Sequence, residues 1–180
     1  MSTQDLEKLK FPIGRFVKPE TTTAEQRASW IEAIRKLPGD LEAMTETWNV
    51  GQWKTPYRPE GWTAHQLVHH IADSHMNSLI RFKLGLTEDN PTIKPYDQAA
   101  WANMEDVSAL PANVSLQIIN GVHQRFVHVL QNMSDDDFKR TIFHPEMNKS
   151  IALDKMLALY GWHSEHHYMH LKNLKKSRAW

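Results

Sequence analysis

The chain has 180 residues, 41% of them hydrophobic and 23% charged, with 21 Lys+Arg balancing 21 Asp+Glu and no cysteine. That length suits one domain with a sizeable core. Zero formal net charge gives no electrostatic reason to expect nucleic acid or an anionic membrane as partner. The absence of cysteine excludes disulfides, thiolate metal ligands and a cysteine nucleophile together. The opening "MSTQDLEKLKFPIGRF" lacks an apolar core of signal-peptide length and no run approaches a membrane span, so the expected location is the cytoplasm.

Residues 1–22 are expected as an extended N-terminal segment of a single domain spanning 1–180. The first helix is placed after Thr23, where "TAEQ" reads as a capping box. Trp30, Ile34, Leu37, Leu41, Met44 and Trp48 recur every three to four positions on one face. Pro38 falls inside that pattern without shifting its register, which predicts a kink rather than a break. The stretch "VGQWKTPYRPEGW" reads as a loop, and a second capping box opens the next helix at Thr63, running to about Leu86. A long connection with three prolines follows, a length that compact domains usually reserve for function or mobility. The third helix spans about Asn113 to Met133, with Leu116, Ile119, Val122, Phe126 and Leu130 inward. Ser134 can cap a short turn in "SDDDF", and "RTIFHPEMNKSIAL" suggests two short extended pieces around His144-Pro145. The last helix is expected from about Leu153 to Lys176, its final-turn Lys172, Lys175 and Lys176 suiting the negative helix end. Four long amphipathic helices joined by long loops indicate an all-α, four-helix bundle.

Histidine is crowded into two of these helices. "HQLVHHIADSH" carries His65, His69, His70 and His75; "WHSEHHYMH" carries His163, His166, His167 and His170. On the last helix Leu153, Met156, Tyr160, Leu171 and Leu174 define the buried stripe. His163 and His167 fall inside it one turn apart, His170 at its edge and His166 well off it. Two imidazoles at i and i+4 on a core-facing surface can share one ion. A metalloprotease helix would place a glutamate directly after the first histidine; Ser164 stands there, and Glu165 points away from the stripe, so that reading fails. On the second helix His75 lies mid-face, His70 at the margin and His69 away from it. Geometry leaves His70 and His75 equally placed as a third ligand. His65 and His69 share a polar face, where a buried site is not expected. His123, His128 and His144 carry no partner pattern and read as structural. Trp30 and Trp48 read as core, whereas Trp53, Trp62 and Trp101 lie in loops, suited equally to a pocket wall or a dimer contact.

"FPIG", "TPYRPEGWTAHQLVHHIADSHMNSLIRFKL", "PYDQAAW", "FKR…FHPE" and "LYGWHSEHHYMH" follow one another in the order seen in the YfiT group of the DinB-like superfamily. The chain resembles that group of metal-dependent hydrolases from Phe11 onward. The resemblance implies a DinB-like four-helix bundle, a homodimer, and a metal held by His70 from the second helix with His163 and His167 from the fourth. It also implies a loop difference, because the group tends to carry a glycine where Glu60 stands.

A divalent ion on three neutral imidazoles keeps its full charge and lowers the pKa of a bound water towards ~7. One Zn2+ per subunit is the expected ion, with Ni2+ the alternative, since imidazole suits both. The expected activity is hydrolysis of a small molecule. Arg58 or Arg81 would hold an anionic group, with Tyr57, Tyr96 and Trp62 as walls. Two other functions use the same histidines. One is transfer of a low-molecular-weight thiol to an electrophile, the thiol arriving as co-substrate because the chain has none. The other is a non-catalytic, metal-stabilised stress-response module. The roles of His75, His166 and His170 stay open at this point.

Overall fold

A computed structural model describes residues 3–180, with side chains from residue 5 onward. Its elements in chain order are α1 (Thr3–Lys10), α2 (Ala24–Thr45), α3 (Val50–Trp53), α4 (Ala64–Thr87), α5 (Gln98–Trp101), α6 (Glu105–Ala109), α7 (Ala112–Gln131), α8 (Asp135–Lys139), β1 (Thr141–His144), β2 (Lys149–Ala152) and α9 (Leu153–Ser177). Both expected capping boxes form: the Thr23 and Thr63 hydroxyls accept from the Gln26 and Gln66 amides, and each glutamine side chain reaches back. Helix α2 runs unbroken through Pro38. The pieces flanking His144-Pro145 pair as an antiparallel hairpin, Thr141 opposite Ala152 and His144 opposite Lys149.

The four long helices form a ring in which α2 packs on α7 and α9, and α4 packs on the same two. Helices α2 and α9 pack tightly at Gly161, where a Cβ would lie 2.6 Å from Cβ of Trp30. Two apolar clusters fill the bundle. One gathers Ile34, Phe82, Phe126, Leu130, Leu153 and Leu157. The other gathers Leu41, Leu67, Ile71, Ile119, Leu171 and Leu174. Between these two levels, α4, α7 and α9 supply His75, His123 and His163–His170 respectively, so a layer of imidazoles divides the core. Burying such a layer costs desolvation unless its nitrogens find partners.

The N-terminal segment departs from expectation. Residues 3–10 form α1 instead of extended chain, Asp5 lying in its first turn and Lys8 and Lys10 in its last, as the helix dipole favours; residues 1 and 2 lie outside the described part. From there the chain follows α9. The Trp162 indole donates to the Gly14 carbonyl (3.2 Å), Lys155 donates to the Glu20 carbonyl (2.9 Å) and Thr22 donates to Asp154 (2.6 Å). No described helix is long and apolar enough to cross a membrane.

Candidate metal centre

The polar layer brings His70, His163 and His167 together. Nε2 of His163 lies 3.3 Å from Nε2 of His70 and 3.1 Å from Nε2 of His167. Zinc–nitrogen bonds of ~2.0–2.1 Å at tetrahedral angles would separate ligand nitrogens by about 3.3–3.4 Å. The observed spacings therefore suit a small divalent ion with little movement. No carboxylate belongs to this set. A proton shared between two of these nitrogens leaves the third facing a neighbour it cannot bond; one cation satisfies all three lone pairs.

Two of the rings are also held from behind. Trp62 packs on His70 with centroids 4.9 Å apart. The other nitrogen of His163, Nδ1, lies 2.9 Å from Nε2 of His75. His75 is fully buried and stacks on His123 at 4.7 Å and 16°. The His123 Nδ1–H donates to the Ile34 carbonyl at 2.5 Å. The sequence had set His70 against His75 as alternatives, and the structure uses both, one beside each nitrogen of His163. Burial holds all these imidazoles in the neutral form a ligand needs: His70 is pushed down to about 4, and His75, His163 and His167 well below 6.5.

Two histidines expected at the surface are buried. His166 is 6% exposed because the N-terminal segment, with Phe11 6.0 Å from its ring, covers the outer face of α9. His69 is 5% exposed because α7 packs over it, Ser115 Oγ lying 2.9 Å from its Nδ1. His170, placed at the stripe edge, is also buried, and its Nε2–H donates to the Leu9 carbonyl (3.1 Å). Ser164 donates to the Tyr160 carbonyl inside α9, while Glu165 is exposed, in keeping with the rejected metalloprotease pattern.

The residues expected as substrate walls divide between two cavities. Tyr57, Arg58 and Trp62 line one of about 630 Å³, which also reaches His70, His163 and His167. Arg58 lies over the Tyr57 ring and donates to the Pro59 carbonyl. Gly61 permits this, since a Cβ there would meet Arg58 Cγ at 2.6 Å. Glu60 adopts φ 55°, a conformation that glycine takes freely and an L-residue at a cost. Arg81 and Tyr96 instead line a cavity of about 230 Å³ on another side of His163. Arg81 donates there to the Lys94 carbonyl, and Tyr96 packs on Trp101 at 4.3 Å. Trp53 lines neither of these but a third cavity, of about 580 Å³, together with Trp48 and His65, and packs on Trp48 at 5.1 Å.

Comparison with known proteins gives this arrangement a family. The model of the DinB superfamily matches residues 33–171. The chain belongs to the DinB superfamily. Among its relatives, YfiT of Bacillus subtilis (strain 168), a proposed metal-dependent hydrolase, is 41% identical over 96% of this chain and 97% of its own length. A similarly named protein of Bacillus cereus (strain B4264) is 44% identical over 96% and 98%. The solved structure of YfiT, described as having an unusual four-helix bundle topology, superposes with a TM-score of 0.92, covering 96% of this chain and 99% of that one. The mycothiol-dependent maleylpyruvate isomerase matches with a TM-score of 0.62 at 14% identity, over 86% of this chain and 63% of its own, a likeness of fold alone.

Proposed function

We propose that this protein is a metal-dependent hydrolase of small molecules, with His70, His163 and His167 as the ligands of one divalent ion per subunit. Zinc is the first choice and nickel the second. The observation that carries this reading is the convergence of three neutral imidazoles on the wall of a cavity, Nε2 of His163 lying 3.3 and 3.1 Å from those of His70 and His167. The relatives' names support the metal-dependent hydrolase class. Bound there, a divalent ion would supply Lewis acidity able to activate water and polarise an electrophile.

The chain's own residues do the rest. With the ion on Nε2 of His163, the Nδ1–H of that ring would donate to Nε2 of His75, whose own proton then lies on its buried, unpartnered Nδ1. Trp62 and Tyr57 confine a substrate of modest size, and Arg58 offers a cation to an anionic group of it. Arg81 and Tyr96 would serve a substrate portion that extends past His163 into the smaller cavity. Thiol transfer would employ the same three histidines, but the isomerase that shares the fold lends it no closer support.

The test is elemental analysis of untagged protein beside His163→Ala, followed by assays of esters, amides and thiol-plus-electrophile pairs. One equivalent of zinc or nickel, diminished in the variant, with turnover of an ester or amide alone, is the expected result. Turnover only with a thiol present would replace hydrolysis by transfer. Fold and stability retained in His70→Ala with activity lost separates catalysis from a structural ion.

A further inference from the structure

The stretch "HSEHHYMH" holds two interleaved i,i+4 pairs, His163/His167 and His166/His170, of which the proposed site uses only the first. His166, His167 and His170 form a second group whose ligand atoms lie within 4.8 Å of one another, all three residues buried and with no carboxylate among them. Nδ1 of each of these three rings is buried without a hydrogen-bond partner. For His170 the tautomer is fixed by chemistry: the Leu9 carbonyl can only accept, so Nε2 carries the proton and Nδ1 is a bare lone pair. The flanking rings are held in place. Trp162 stacks on His166 at 4.2 Å and 19°, and Tyr57 packs on His170 at 4.3 Å. Both histidines line the same large cavity as the first group.

Three crowded, neutral, under-bonded imidazoles have no packing advantage over apolar side chains, since each buried nitrogen without a partner costs desolvation. They do match what a divalent cation requires. We propose that His166, His167 and His170 form a second divalent-cation position, alternative to the first. It rests on the metal reading above, because His167 is common to both groups. The two positions are filled one at a time. His167 is shared, and two dications side by side repel four times as strongly as two unit charges, with no carboxylate in either group to offset them. The ion thus has two stations along α9, the first completed by His70 of α4, with His167 as the ligand it keeps.

The test uses zinc alone as probe. Zinc is titrated against a competing chelator into the wild type, His70→Ala/His163→Ala, and the latter with His166→Ala/His170→Ala added; circular dichroism checks the fold. One ion is expected in the wild type, one more weakly held ion in the double variant, and none in the quadruple variant. In the double variant, zinc should also shift the imidazole 15N resonances of His166 and His170. A wild type that binds one ion, beside a folded double variant that binds none, overturns this inference and leaves the proposed function standing. Should the double variant not fold, His70→Ala alone serves, since it leaves His163/His167 short of a third ligand against a complete second group. Zinc retained there and lost on adding His166→Ala/His170→Ala supports the second position; zinc binding indifferent to those two changes overturns it.

Discussion

Replacing His75 should weaken metal binding without removing a ligand. His75 touches no expected ion position; it meets Nδ1 of His163 at 2.9 Å from a fully buried site. With leucine there, His163 does best by moving its proton to Nε2 and bonding His70 or His167, at 3.3 or 3.1 Å. That tautomer cannot ligate. Binding must then break this hydrogen bond and strand an N–H at His163 beside the ion, a cost of at most ~1–3 kcal/mol, since in the wild type the unpartnered N–H lies one ring further out, on Nδ1 of His75. Loss of a partner behind a metal-ligating histidine typically lowers affinity about 10–100-fold, or roughly 1.4–2.8 kcal/mol, the same scale. Zinc affinity by competition with a chromophoric chelator at pH 7 is therefore expected to fall in His75→Leu. It should recover largely in His75→Gln, whose amide oxygen can accept at the same place. A folded His75→Leu that binds zinc as tightly as the wild type would refute the tautomer argument.

Zinc at about a hundredfold excess over its dissociation constant should stabilise the fold by ~2.7 kcal/mol. In a domain of this size that raises Tm by roughly 5–11 °C; His163→Ala should diminish the shift in a thermal melt, and His70→Ala/His163→Ala with His166→Ala/His170→Ala should abolish it. In the presence of chelator, stability should fall with pH between 6.5 and about 4. His70 and His123 ionise only near pH 4 when folded, so in that window the unfolded chain takes up protons that the folded chain refuses. The slope is up to ~1.4 kcal/mol per pH unit per group, and melts above pH 7 should be insensitive to these two residues. Gly161→Ala should lower stability by ~1–3 kcal/mol, measured by urea unfolding, because the new methyl meets Trp30. Glu60→Gly relieves a positive φ but loosens the unfolded chain, so denaturation should show a net change under ~1 kcal/mol and unaltered zinc affinity.

The sequence disclosed those features whose causes are local. Thr23 and Thr63 announce helix starts because their capping boxes involve only four consecutive residues. His163 and His167 stand out because one helix's own apolar stripe points them inward. The burial of His166 and His69 was not legible, since what covers them arrives from distant parts of the chain: the N-terminal segment and α7. Nor could one helical wheel separate His70 from His75, because a wheel gives a single inward direction and His163 receives a partner on each nitrogen. Helices α3, α5 and α6, four or five residues each, are too short for periodicity to register.

The distance along the chain between His70 and His163, 93 residues, also sets a schedule. At ~5–20 residues per second of synthesis, the ribosome adds His163 roughly 5–19 s after His70. Throughout that interval the inner face of α4 carries His70 and His75 with no α9 to meet them. A nascent chain therefore holds neither set of ligands until its last helix has been made, and the set that includes His70 only once that helix has docked on α4, so metal capture at the proposed site would be a late event that reports on a finished bundle.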